Sequence, residues 1–224
     1  MSLVSNLFLL FVAASILIYY IVPRKSQWIV LLIFSYLYYI AGGPRYVVFI
    51  LFSTLVTWLM ALLIEKAEGK ENHKGARKLL ILGLILNFGM LGIVKYTNFA
   101  VENINALLHL NLRGIQLLLP LGISFYTFQS SGYLLDVYWK RCKAERHPLK
   151  YALFVSFFPQ ILQGPIGRYS RLADQLYAEH RFEGNNIIRG FERILWGFFK
   201  KMILADWAAV FADAIFAAPA KYNG

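Results

Sequence analysis

The chain has 224 residues, 58% of them hydrophobic, 17% aromatic and only 16% charged, with a formal charge of +11 and a mean hydropathy of +0.53. A soluble domain carries about 25% charged residues, so this composition excludes an ordinary water-soluble fold and points to an all-α polytopic membrane protein. The positive charge falls between apolar blocks and not in a patch, which argues against a nucleic-acid partner and for loops held on the cytoplasmic side.

The apolar blocks run Leu3–Val22, Trp28–Ala41, Tyr46–Ile64, Leu79–Val94, Ile115–Leu135 and Tyr151–Ile166. The first has no charged n-region and reads as a retained helix, not a removed signal peptide. The second is short, and charge placement decides whether it crosses. With five crossings, the loops after the first, third and fifth blocks hold Arg24, Lys25, Lys66, Lys70, Lys74, Arg77, Lys78, Lys140, Arg141, Lys143, Arg146 and Lys150. Only Arg45, Lys95 and Arg113 fall on the other side. That twelve-to-three split, against ten to five without the second crossing, places the N-terminus outside and residues 65–78 and 136–150 in cytoplasmic loops.

The sixth block differs. In "FFPQILQGPIGRYS" two prolines, two glycines and two glutamines interrupt an apolar run. A full crossing here would place Arg168, Arg171, Arg181, Arg189 and Arg193 outside. A re-entrant segment over 151–170 keeps them inside, and broken backbone at membrane depth requires surrounding protein or a water-filled cavity. Beyond it, "NIIRGFERILWGFFKK" places Ile187, Phe191, Ile194, Leu195, Phe198 and Met202 on one face, an interfacial helix or one packed on protein.

In the fifth block Tyr126, Gln129, Tyr133, Asp136 and Lys140 follow steps of three and four and form one stripe. Polar groups on a membrane helix turn from lipid toward the bundle or a wet path. Tyr126, Gln129, Tyr133 and Asp136, with Gln160 and Gln163 of the broken segment, are therefore candidates to line a polar interior path. Interhelical hydrogen bonding is the competing use, and the glutamine amides equally suit the loop backbone. Arg168 is a candidate contact for a phosphate or carboxylate at the interface, or a topological anchor. Cys142, the single cysteine, excludes an internal disulfide and lies in a basic juxtamembrane loop where acylation or a plain thiol are both open. His73, His109, His147 and His180 lie in loops or at segment ends without a nucleophile or metal pattern. No Walker loop or GxSxG elbow occurs.

Several stretches coincide with one known family. "KYTNF" at Lys95–Phe99, "LPLGISFYTFQSSGYLLDVY" at Leu119–Tyr138, "LFVSFFPQILQGPIGRYSRLADQL" at Leu153–Leu176 and "GFFKKMILAD" at Gly197–Asp206 follow in that order. Together they resemble the membrane-bound O-acyltransferases, in the bacterial branch of alginate and peptidoglycan O-acetyltransferases, across nearly the whole of residues 1–224.

The resemblance implies a ring of about five transmembrane helices with a re-entrant segment and an interfacial helix, the N-terminal part of one larger domain in the bacterial inner membrane. It implies transfer of an acetyl group from a cytoplasmic donor such as acetyl-CoA, used as co-substrate with no bound cofactor or metal. The acceptor would be a hydroxyl of an extracytoplasmic polysaccharide or of a lipid-linked or cell-wall glycan, with an extracytoplasmic acyltransferase as partner and membrane lipids around it. The family's catalytic histidine belongs to a Leu-Trp-His-Gly-type motif, which the resemblance places beyond Gly224. No histidine up to Gly224 matches it, so the resemblance supplies no catalytic residue here and this stretch alone is expected to be inactive. A transporter or export subunit, or a scaffold of a glycan-modifying complex, remains the alternative.

Overall fold

The computed structural model describes residues 6–108, 110, 120–161 and 164–217, and every regular element among them is helical. These residues divide into two units, 1–180 and 181–224.

In the first unit α1 (Asn6–Ile21) and α2 (Gln27–Ala41) are joined by a 3-10 turn behind Pro23. A second turn, opened by Gly43 at φ 144° and Pro44, leads into α3 (Val47–Glu68). Then follow α4 (His73–Leu108), α5 (Ile123–Tyr138), α6 (Pro148–Ser156) and α7 (Tyr169–Tyr177). Helices α3, α4 and α5 pack together, α6 lies against α2 and α3, and α7 packs on α6.

Two helices, α3 with its preceding turn and α4, are long and apolar enough to cross a membrane. At 36 residues α4 is about 54 Å long, well beyond a hydrocarbon core of about 30 Å. The 15 or 16 residues of α1, α2 and α5 correspond to about 22–24 Å. The distribution of polarity is inverted relative to a soluble protein. Leu10, Ile33, Leu55, Ile85 and Ile93 are exposed, while Ser53, Thr57, Asn87, Thr127 and Ser130 are buried. Water would not tolerate so much apolar exterior, and lipid would.

The buried polar groups hold the helices together. Ser53 donates its hydroxyl to Asn87 Oδ1 at 2.6 Å, and Asn87 Nδ2 donates to Thr57 Oγ1 and to the Gly83 carbonyl, both at 3.0 Å. Close approach accompanies this: a Cβ on Gly83 would lie 2.8 Å from Leu134 Cδ1, so a glycine lets α5 reach α4. Small residues and amide hydrogen bonds serve this purpose in lipid, where apolar burial between helices gains little.

The connectors are shorter than the polar sequence predicts. Between α3 and α4 only residues 69–72 are non-helical, because the charged ends of both helices continue as helix. The stripe on α5 stops at Tyr138, and Lys140 is not part of it. Lys140 sits in a left-handed turn at φ 58° and its Nζ reaches Glu68 at 3.1 Å, so it ties the loop to α3. The start of the fifth apolar block, residues 115–119, lies outside the described residues.

The second unit comprises α8 (Gly184–Phe199), a π-helical turn Lys200–Ala205 and α9 (Asp206–Ala217). Lys201 and Asp206 pair at 2.8 Å, five residues apart, which matches the wider π repeat. The amphipathic face read from sequence is present: Phe191, Ile194, Leu195 and Met202 are all exposed. The described part of this unit ends at Ala217, so Gly224 lies outside the described residues.

Candidate functional site

The sequence anomaly after Phe157 becomes a broken helix end in the first unit, with Phe158 and Ile161 buried and Pro159 exposed. Helix α6 has nine residues, about 13 Å, and Tyr151 through Ser156 are all buried. It stops at Phe157, whose ψ of 106° leaves the helical region two residues before Pro159. A turn follows, in which the Gln160 and Ile161 amides both donate to the Phe157 carbonyl. Residues 164–168 carry the chain to α7 without regular structure.

Such an end leaves carbonyls and amides without helical partners, and the neighbouring helices supply them. Gln129 of α5 donates Nε2 to the Phe154 carbonyl at 3.0 Å, and Ser35 of α2 accepts the Phe158 amide at 3.2 Å. Phe158 also packs edge-on to Phe11 of α1 and against Tyr38 of α2. Gly122 completes the joint. It stands at φ 65°, and a Cβ there would lie 2.2 Å from the Ile161 carbonyl oxygen. The start of α5 and the turn after α6 are therefore in backbone contact, through two motifs some forty residues apart in sequence.

The chain then returns to where α6 began. The Tyr177 hydroxyl donates to the Lys150 carbonyl at 2.6 Å, and Tyr169 donates to Glu145 Oε2 at 2.5 Å. Tyr133, Tyr151, Phe154 and Tyr169 form one aromatic cluster from α5, α6 and α7, with Tyr133 4.7 Å from both Tyr151 and Tyr169.

Glu145 organises this return and was not singled out by sequence. Its amide donates to Tyr133 Oη at 2.8 Å, its carbonyl accepts Trp58 Nε1 at 2.8 Å, and Oε1 accepts the His147 amide at 2.8 Å. The available signal was a lone acid in a basic loop. Its partners lie up to 87 residues away, which no local pattern reveals. Beside it, Glu65 accepts the Ala144 amide at 3.1 Å and pairs with Arg146.

Of the sequence candidates, Tyr126, Gln129, Tyr133 and Asp136 share the inward face of α5 and are all buried. Gln129 and Tyr133 are engaged as above. Asp136 Oδ1 lies 3.6 Å from Arg141. Tyr126 faces the Tyr39 phenol of α2 without reaching hydrogen-bond geometry. With Thr127, Ser131 and Gln160 Oε1 these are buried polar atoms lacking a hydrogen bond. Gln160 lies beside Gly167, so the second glycine accommodates its amide. Arg168 is exposed at the head of α7, one residue before Tyr169. Gln163 lies outside the described residues.

The described histidines have structural neighbours. His73 contacts Glu68, His147 packs edge-on to Trp28, and His180 binds Tyr19 and both ends of the Gln27 amide. His109 lies outside the described residues, as does Gly224, beyond which the resemblance places the catalytic histidine. Cys142 is half-buried, and burial, then Asp136 and Glu65, pushes its thiol up to about 11. It stays protonated at neutral pH and is a poor nucleophile. Among the described residues no three His, Cys, Asp or Glu side chains gather as a metal site. The arrangement thus provides a polar, hydroxyl-rich wall beside a broken helix, and no nucleophile–base pair among the described residues.

The end of α6 is broken and neighbouring helices meet its peptide groups, as non-helical backbone among membrane helices requires. The chain is 35% identical to the probable alginate O-acetylase AlgI of Pseudomonas syringae pv. tomato over 220 residues, 95% of this chain and 42% of that protein. It is 34% identical to the AlgI of Pseudomonas aeruginosa, over 95% of this chain and 41% of the relative. The peptidoglycan O-acetyltransferase of Helicobacter pylori is 34% identical over 83% of the chain and 39% of its own length. Over nearly its whole length the chain is thus similar to curated alginate and peptidoglycan O-acetyltransferases. It spans about two fifths of the length of these curated relatives. No family model matches the chain, and no solved structure does.

Proposed function

We propose that this chain forms part of a bacterial inner-membrane O-acetyltransferase that moves acetyl groups from a cytoplasmic donor, such as acetyl-CoA, to hydroxyls of an extracytoplasmic polysaccharide. The observation that carries the reading is the similarity to alginate O-acetylases over 95% of the chain. The geometry supports it, because a donor inside and an acceptor outside require a polar route. Tyr126, Gln129, Tyr133 and Asp136 on α5 form one wall of that route, with Gln160 and Gln163 at the break and Arg168 at its rim toward an anionic donor. The catalytic histidine is supplied from beyond Gly224, and an extracytoplasmic acyltransferase completes the transfer.

The test is the O-acetyl content of extracytoplasmic glycan in cells fed labelled acetate, with the gene present, deleted and restored. Label is expected to disappear on deletion and return on complementation. Unchanged labelling after deletion overturns the acetyltransferase reading in favour of a non-catalytic transport or scaffold role.

The same reading places five crossings with the N-terminus outside and makes 151–170 re-entrant. Support comes from the contact of Tyr177 with Lys150, which returns the chain to the start of α6. In a Cys142→Ser background, Arg171→Cys is expected to react with an impermeant maleimide from the cytoplasmic side only. Reaction from outside would mean that α6 and its continuation cross.

A further inference from the structure

A concave apolar groove of about 560 Å³ opens between α2 and α3, floored by the first turns of α6. Its walls are Leu32, Leu37 and Ile40 of α2 and Leu51 and Leu55 of α3, with Ala152 at the base. None of the α5 stripe residues lines it. The groove lies apart from the polar wall, and its outer rim is formed by exposed side chains such as Ile33 and Leu149.

Its dimensions restrict the occupant. From Leu32 to Ile40 the lining extends about 12 Å along α2 at 1.5 Å per residue. A slot of that length lined by Leu, Ile and Ala side chains accepts an extended hydrocarbon chain. Tyr36 and Thr54 face one another, the Trp58 indole N–H is taken by the Glu145 carbonyl, and the remaining lining side chains are apolar. A flexible hydrocarbon chain meets both conditions.

Charge selects among hydrocarbon ligands. One helical turn before Leu32, Trp28 faces His147 and Lys150, the residues flanking the Pro148–Leu149 end of the groove. Lys150 Nζ lies 5.0 Å from the Tyr177 ring and 6.0 Å from the Trp28 ring, and no carboxylate pairs with it among the described residues. An ammonium held between aromatic faces at the end of an apolar groove suits a phosphate head group, with the indole at interface depth.

We infer that the groove between α2 and α3 is a binding site for one acyl chain of an anionic phospholipid, whose phosphate is met by Lys150. The lipid belongs to the leaflet that Lys150 faces. It fills the gap that α2 and α3 leave above α6, and so supports the helix that bears the break.

The test uses the protein in native-like membranes containing phosphatidylglycerol with a diazirine on the acyl chain, followed by peptide mapping. Adducts are expected on the Leu32–Ile40 and Leu51–Trp58 peptides at several times the yield on the equally apolar α4 surface around Ile85. Leu55→Trp, at an exposed rim position, is expected to reduce them at least fivefold while the protein remains folded and Ile85 labelling is unchanged. Lys150→Ala is expected to remove the preference for phosphatidylglycerol over phosphatidylcholine. Equal yields on α4 and the groove, or adducts insensitive to Leu55→Trp, overturn the site and leave only ordinary annular lipid. Absence of groove adducts in the intact protein, with α4 still labelled, also overturns it and identifies another protein segment as the occupant.

Discussion

Gly122→Ala is expected to destabilise the protein more than an alanine substitution at any helical glycine of the first unit, with a lower apparent melting temperature in detergent. Two effects combine. At φ 65° a side chain adds strain of about 1–3 kcal/mol, and the new Cβ meets the Ile161 carbonyl oxygen at 2.2 Å. The second effect separates this site from an ordinary turn. Asparagine tolerates a left-handed backbone well, so Gly122→Asn would recover stability if conformation alone mattered. Because the obstacle is backbone, Asn is expected to be no better than Ala. Full recovery in Gly122→Asn would show that the α5–Ile161 approach is looser than the structure has it. Gly89 and Gly92, whose added Cβ meets nothing, serve as controls.

Glu145→Ala is expected to release α7 from the rest of the first unit. The substitution removes the acceptor of the part-buried Tyr169 hydroxyl, and a buried donor left unsatisfied costs about 1–3 kcal/mol, whereas the exposed His147 amide turns to water. The loss concentrates where the chain returns beside α6, so limited trypsin digestion should accelerate at Arg168, Arg171 and Arg181 before any other site. Tyr169→Phe removes one of the two contacts and is expected to give a smaller acceleration. In the double variant the effects should be less than additive, since both report the same bond. Simple additivity, or cleavage first in the loop around Lys70, would place the anchor of α7 elsewhere.

How far these arguments could be made without a structure differs by residue. The helical class, the apolar blocks and the interruption after Phe157 follow from composition and spacing, because lipid imposes length and polarity on each segment independently of its neighbours. The inward face of α5 was equally legible. Steps of three and four place Tyr126, Gln129, Tyr133 and Asp136 together whatever they touch, and all four are buried. The error at Lys140 has a local cause: periodicity carries no stop signal, and the chain turned left-handed there to reach Glu68. The helical state of the charged ends of α3 and α4 was not legible for a related reason, since charged helix ends and loops share a composition.

What the face of α5 touches was a different matter. The donation from Gln129 to the Phe154 carbonyl, the Gly122–Ile161 contact and the gathering of Tyr133, Trp58 and Tyr169 around Glu145 join residues from 12 to 87 positions apart. By itself the sequence determined that a break at membrane depth must find hydrogen-bond partners, because an unsatisfied peptide group in hydrocarbon costs several kcal/mol. Only the tertiary structure decided that α2 and α5 provide them, and that a loop glutamate brings the chain back. Those choices depend on which helices become neighbours, and helix packing is a property of surfaces that no single segment carries.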